Sequence, residues 1–423
     1  MGRIYKTITE VTDFGPYITK VLLKPDGEAD FENAMPDKEN FRVYIVRKKI
    51  SKDYPWPALF GTRPEIPMEG EVKVLNAVKA DEMGNEAENG KWIMLEIETD
   101  PRNSLNSIIN FNGRFNTFID VNIKVEQLED IVCKNGFVKK GIYDQNDGNR
   151  ILLGELLEEG LYDNEDIPLR YVYYRPEKNA SDKKYPLIIW LHGGGEGGED
   201  TIISAIGNKV VNLIEPDIQK IFGGAYLLSP QCPTLWMDDG KGGILDTPDT
   251  IYANALEGLI QNFIDEHEDI DKDRIYIGGD SNGGYMTIRM IIENPSRYAA
   301  GFPVCEGYLD SWFTDETEKK VAEVPLWFTA AKTDNILPVE KYAVPTYKRL
   351  CGLDAEVHLT LFDNVCDKTG LYFKEDGSPF EYSGHWSWIP MLNNECRTDY
   401  DGTLVKYNGK EVTILEWLAA HKK

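Results

Sequence analysis

Ser281 sits between glycines, in Gly279-Asp280-Ser281-Asn282-Gly283-Gly284, after the apolar stretch 274–278 and before a segment of helical periodicity. A serine on a sharp strand-to-helix turn is a candidate nucleophile. The turn lifts its hydroxyl above a sheet and demands small residues two positions away on either side. Gly279 and Gly283 meet that demand. The helix N-terminus beyond Ser281 would favour negative charge developing on a substrate oxygen. The rival reading is a Gly-rich turn with an incidental serine.

A serine hydroxyl needs an adjacent base, itself oriented by a third group. For a serine on such a turn the chain order is serine, acid, histidine. His358, His385 and His421 follow Ser281. His358 falls inside an expected strand, and His421 lies in the terminal stretch 419–423, which is expected to fray. His385 lies in a loop after the last expected strand, in Tyr382-Ser383-Gly384-His385-Trp386, with a small residue ahead of it. It is taken as the base. For the acid, Asp334 follows an expected strand at 324–328 and shortly precedes Pro338; Asp310 and Asp363 are its rivals.

A second glycine cluster, His192-Gly193-Gly194-Gly195-Glu196-Gly197-Gly198, follows the continuous apolar run Tyr185–Leu191. A loop without Cβ atoms can approach a substrate carbonyl and offer it backbone N–H groups. Gly193 and Gly194, with Asn282 just after the serine, are the candidate oxyanion-hole donors. The same segment parses as the dinucleotide fingerprint G-x-G-x-x-G through Gly193, Gly195 and Gly198. Glu196, Glu199 and Asp200 would repel a pyrophosphate, and no clear acidic residue ends a strand about 20 residues further on. That parse is set aside. His192 is expected to brace the loop. Trp236 and Trp386 are candidate walls of a substrate pocket, with ordinary core positions as the alternative.

Two kinds of sequence must position these groups. Through about residue 125, short stretches such as 18–23, 41–46, 71–75 and 92–97 are rich in β-branched and aromatic residues. Turn residues separate them, and Asn112-Gly113 is a hairpin signal. About seven such strands predict a β-sandwich of immunoglobulin-like size. From about residue 150 strands alternate with helices, predicting an α/β layer fold with a mostly parallel sheet. The expected division is therefore 1–125 and 126–423, with 126–150 as a connector. The 423 residues carry 46 basic and 71 acidic side chains, a net charge of −25, which argues against duplex nucleic acid or an anionic membrane as partner. No apolar run approaches the roughly 18–20 residues of a spanning helix. The six cysteines have neither zinc nor redox spacing, and buried free thiols are expected. No metal-ligand spacing appears and no cofactor is implied. The N-terminus lacks an apolar signal-peptide core, which points to the cytoplasm, secretion remaining open if a leader was trimmed.

The HGGGE loop, the GDSNGG turn, the Asp334 loop and the Gly384-His385-Trp386-Ser387-Trp388 segment together resemble the α/β-hydrolase superfamily. More specifically they resemble bacterial esterases with an N-terminal immunoglobulin-like domain, whose opening the stretch 11–20 is similar to. The segments 185–193 and 229–233 also resemble feruloyl-esterase-like and polyhydroxyalkanoate-depolymerase-like hydrolases. The resemblance implies a Ser281-His385-Asp334 triad and an oxyanion hole at Gly193, Gly194 and Asn282. One departure is Ala330-Ala331-Lys332, where many relatives have His-Gly. The expected function is a serine carboxylesterase acting on a small-molecule or carbohydrate-linked ester, with homo-oligomer formation a further expectation. The rivals are a serine peptidase of prolyl-oligopeptidase type and a hydrolase-fold domain that binds without catalysis.

Overall fold

The computed structural model describes residues 2–27, 30–31, 35–48, 68–163, 167–177, 183–242 and 247–423. The chain divides into two compact units, Met1–Glu155 and Leu156–Lys423. In the first, eight strands are joined: β1 (Arg3–Thr12), β2 (Gly15–Leu23), β3 (Phe41–Lys48), β4 (Met68–Val72), β5 (Val74–Ala80), β6 (Trp92–Ile97), β7 (Asp120–Gln127) and β8 (Gly141–Ile151). Their hydrogen-bonded order is β4-β3-β7-β8-β1-β2-β6-β5. β8 links two halves, because residues 141–143 pair antiparallel with β7 while Tyr143 onward pairs parallel with β1. Period-2 alternation then turns one face of each half inward. Val21 and Leu23 of β2, Val43 and Ile45 of β3, Leu95 of β6 and Val125 of β7 share one core. Leu22 points the other way, into a small second cluster with Ile8, Val78, Trp92 and Met94.

The expected boundary at 125 falls inside this first unit, and 126–150 is not a connector. Those residues finish β7, form the hairpin of Ile131–Cys133 with Gly136–Val138, and supply most of β8. The segment reads as irregular because residues 144–149 of β8 are all exposed, so no apolar alternation marks the strand. The strand expected at 71–75 is broken between β4 and β5. At the Asn-Gly signal, Ile109–Phe111 pairs with Asn116–Phe118. The turn is longer than the two-residue kind, and Asn112 Oδ1 closes it by accepting the N–H groups of Arg114 and Phe115, each at 2.9 Å.

The second unit holds β9 (Glu158–Tyr162), β10 (Leu169–Tyr174), β11 (Tyr185–Leu191), β12 (Tyr226–Gln231), β13 (Ile270–Asp280), β14 (Ala300–Val304), β15 (Leu326–Ala331) and β16 (Val357–Phe362). They form one sheet in the order β9-β10-β12-β11-β13-β14-β15-β16, antiparallel at its first two pairings and parallel thereafter. β11 is buried at every residue, as a central strand covered on both faces must be. Helices Ala253–Glu266 and Asn282–Glu293 bury Leu256, Leu259, Phe263, Tyr285, Ile288 and Ile291 in the main core. From β11 the chain moves to β12 on one side and then to β13 on the other. The crevice beyond the C-terminal ends of β11 and β13 is thus a topological switch point, where open α/β sheets take their ligands. Among the described residues no helix is long and apolar enough to cross a membrane.

Candidate active site

Ser281 follows the last residue of β13 and caps the helix Asn282–Glu293, with φ 54° and ψ −113°. That backbone region strains an L-residue by about 1–3 kcal/mol. The flanking glycines make the turn sterically feasible. A Cβ on Gly283 or on Gly279 would overlap the carbonyl oxygen of Leu191, the last residue of β11. The two strands pair up to Leu191 opposite Gly279, so the loop after β11 and the turn after β13 leave the sheet side by side.

His385 lies in a short 3₁₀ turn, Gly384–Trp386, whose first residue packs onto the loop after β15. A Cβ on Gly384 would come within 2.6 Å of the Asp334 nitrogen. His385 Nε2 is 3.0 Å from Ser281 Oγ, and Nδ1 is 2.8 Å from Asp334 Oδ2. A carboxylate only accepts, so Nδ1–H donates to Asp334 and Nε2 is left to accept the Ser281 hydroxyl proton. Asp334 Oδ1 accepts from the N–H groups of Ile336 and Leu337 at 2.8 and 2.9 Å. The Ala330-Ala331-Lys332 departure leaves this geometry intact, because Lys332 turns away to pair with Asp363. The other rival acid, Asp310, is paired with Arg349. His358 is bonded to Asp399 at 2.6 Å, and His421 to Glu356 at 2.9 Å. His421 is not frayed. It is buried against Trp417, after the helix Ile414–Ala420 that Thr413 and Glu416 cap reciprocally.

His192 braces the glycine loop. Its Nε2 accepts the Cys232 N–H at 2.9 Å, and Nδ1–H donates to the Gly193 carbonyl at 2.6 Å. Complete burial pushes its pKa down to about 4, so the ring stays neutral. At Gly193 two carboxyls close in, since a Cβ there would lie 2.5 Å from Asp280 Oδ2 and 3.1 Å from Glu196 Oε2. Gly193, Gly194 and Asn282 are the donor candidates, Asn282 at the first turn of its helix, where N–H groups have no intrahelical acceptor.

Residues 4–139 match the family described as the esterase Ig-like N-terminal domain. Residues 252–349 match the prolyl oligopeptidase family over a stretch that holds Ser281 and Asp334 but stops short of His385. The whole chain is similar in fold to a thermostable esterase of known structure, with TM-score 0.75, 24% identity and 99% of each chain covered. The chain is an immunoglobulin-like domain joined to an α/β-hydrolase domain. Serine carboxypeptidase-like 11 and 12 from Arabidopsis thaliana are each 24% identical to it over 149 residues, 32% of this chain. That match spans only 33% of their own length.

Within the α/β-hydrolase domain the two candidate pocket residues part ways. Trp236 has no exposed surface. Its indole N–H donates to the His192 carbonyl at 3.2 Å, and its backbone N–H donates to Asn282 Oδ1 at 2.6 Å. It supports the loop from behind and lines no open space. Trp386 is half-buried, 6.1 Å from Tyr382 in a stacked pair and 5.9 Å from Trp388. Two buried carboxyls at the site went unread in the sequence. Asp280, beside the nucleophile candidate, and Glu196, within the glycine loop, both approach Gly193. A third, Glu306 after β14, is buried and pushed up to about 8, chiefly by desolvation. An acidic residue inside a glycine-rich turn at a strand end is the signal that could have drawn attention to the first two. Of the six cysteines, all free, Cys133, Cys232, Cys305 and Cys396 are buried as expected, but Cys351 is exposed and Cys366 partly so.

Proposed function

We propose that this protein is a serine carboxylesterase. The observation that carries the reading is the unbroken chain of contacts from a strained Ser281 through His385 to a buried Asp334. In the first half-reaction His385 Nε2 takes the Ser281 proton as Oγ attacks the ester carbonyl carbon. The tetrahedral oxyanion forms beside the N–H groups of Gly193, Gly194 and Asn282. His385 then protonates the departing alcohol, leaving an acyl-Ser281 ester. Water, deprotonated by the same nitrogen, attacks that ester and releases the carboxylic acid. Asp334 holds the tautomer and stabilises the imidazolium in both halves. Trp386, exposed on one side beside His385, is assigned to the wall of the acyl or alcohol site.

The match to an esterase Ig-like N-terminal domain favours ester substrates, and a small-molecule or carbohydrate-linked ester is the substrate class proposed. The prolyl oligopeptidase match favours a second reading, amide hydrolysis after proline. Turnover of p-nitrophenyl acetate, p-nitrophenyl butyrate and acetylated or feruloylated sugars, set against a prolyl p-nitroanilide, tests the proposal. Ester turnover at least about 100-fold faster in kcat/KM than amide turnover is the expected result. Faster amide cleavage would overturn it in favour of a peptidase. A failure of the wild-type chain to react with a fluorophosphonate would exclude both readings.

A further inference from the structure

We propose that Asp280 and Glu196, bridged by Asn208, are positioning residues that hold the oxyanion loop in register with Ser281; the inference rests on the serine-esterase reading. Sheet pairing cannot do this alone, because it ends at Leu191 opposite Gly279 and the loop begins one residue later. Beyond that point the loop is tied to the turn through carboxyls. A Cβ on Gly193 would lie 2.5 Å from Asp280 Oδ2 and 3.1 Å from Glu196 Oε2, so both acids close over a position that only glycine can fill. Asn208 Nδ2 reaches the same two oxygens, at 2.9 and 3.1 Å, with one hydrogen for each. On the far side Gln231 Nε2 donates to the Glu196 carbonyl at 2.9 Å, fixing the loop to the end of β12.

The acids are 1% and 3% exposed, and two buried carboxylates at such range cannot both ionise cheaply. Burial, and after it the charge of Glu196, pushes Asp280 well above the usual carboxylate range. Asp280 Oδ1 is buried without a hydrogen-bond partner, which an ionised carboxylate tolerates poorly. Asp280 therefore keeps its proton to higher pH than an ordinary carboxyl, and the pair resists a second negative charge. Among the described residues the thiol of Cys305 after β14 also acts on Asp280; it is pushed up by burial, by Asp280 and by Asp334, and so is neutral. Losing the retained proton sets two negative charges around Gly193 and forces the loop off the turn. Because the loop carries the Gly194 donor, the cost falls on the transition state more than on substrate binding.

The test measures steady-state p-nitrophenyl acetate hydrolysis across pH, per active site titrated with a fluorophosphonate, in the full chain and in Asp280→Ala, Asp280→Asn and Asn208→Ala. Asp280→Ala and Asn208→Ala are expected to lower kcat about tenfold or more while KM stays within about twofold. Asp280→Asn keeps a neutral group of the same shape. It should recover much of the loss seen with alanine and abolish the alkaline fall in kcat of the wild type. Should Asp280→Ala not fold, the other two variants carry the comparison. Unchanged kcat per labelled site, with only melting temperature or labelled fraction reduced, would make the acids core-filling and overturn the proposal. So would an alkaline limb identical in wild type and Asp280→Asn. A wild type that labels and turns over while the variants match it refutes this inference alone; a wild type that does neither refutes the esterase reading beneath it.

Discussion

Ser281 is held at φ 54° by the turn around it, a conformation suited to glycine and here occupied by the proposed nucleophile. Strain and function are therefore separable by substitution. Ser281→Ala keeps the strain and removes the nucleophile; on triad arithmetic turnover should fall about 10⁴-fold or more. Ser281→Gly should be equally inactive yet melt at a higher temperature than Ser281→Ala, since glycine relieves the backbone. Ester assays and calorimetry on the pair check both halves, and equal melting temperatures would count against a strained turn. Glu306 offers a second test at this scale. Its carboxyl is pushed from an ordinary 4.5 up to about 8, so between those values the folded chain keeps a proton that the unfolded chain has lost. Its contribution is complete below 4.5 and is lost as pH rises through about 8. Urea unfolding should therefore show Glu306→Gln gaining on the wild type as pH rises from 5.5 to 7.5, at up to about 1.4 kcal/mol per pH unit. A constant difference would place Glu306 in the ionised state throughout.

The elements around the site are fitted to one another by missing side chains. The pairing of β11 with β13 ends at Leu191 opposite Gly279, and Gly283, the second residue of the helix after Ser281, is pressed on the Leu191 carbonyl. Backbone at that range cannot move aside, unlike the tip of a flexible side chain. Gly283→Ala is expected to destabilise the domain by about 3 kcal/mol or more, measured as a lower urea midpoint. Gly384→Ala acts differently. Its Cβ would meet the backbone at Thr333 and Asp334, the loop that carries the proposed acid, so the displacement should fall on the distance between Asp334 and His385. We expect kcat to drop about 100-fold while the melting temperature changes by only a few degrees. Loss of stability without loss of turnover in the labelled fraction would contradict that division of roles.

At the scale of the molecule, each unit encloses its own core, one built from β-strand faces and the other from a sheet covered by helices. The groups assigned to chemistry all lie after Leu156. A chain of residues 156–423 should therefore fold and react with a fluorophosphonate at a rate within about tenfold of the full-length protein. A cut at 126 should behave worse. It would leave residues 141–151 exposed as a β-strand without the β1 and β7 partners that pair with it in the whole protein. Gel filtration and labelling of the two fragments distinguish these outcomes, and an inert but folded 156–423 fragment would show that the first domain completes the site.

The sequence by itself determined which positions could be proposed for chemistry, namely those that depend on local geometry. Ser281 was legible because a strand-to-helix turn with glycines two residues away is a local requirement, and His385 because its rivals were spoken for by strand and terminus. Asp334 was legible from its place after a strand and before Pro338. The layered α/β pattern was readable for the same reason, since central parallel strands such as β11 are continuously apolar. Other features took the tertiary structure to decide. β8 escaped notice because its exposed polar run has no period, and only pairing with β1 and β7 makes it a strand. Trp236 drew a pocket assignment from its proximity in sequence, whereas packing against His192 buries it completely. The meeting of Glu196 with Asp280 around Gly193 depends on two loops more than 80 residues apart leaving adjacent strands together. Periodicity and turn chemistry act over a few residues, while the environment of a carboxyl depends on what the fold brings beside it.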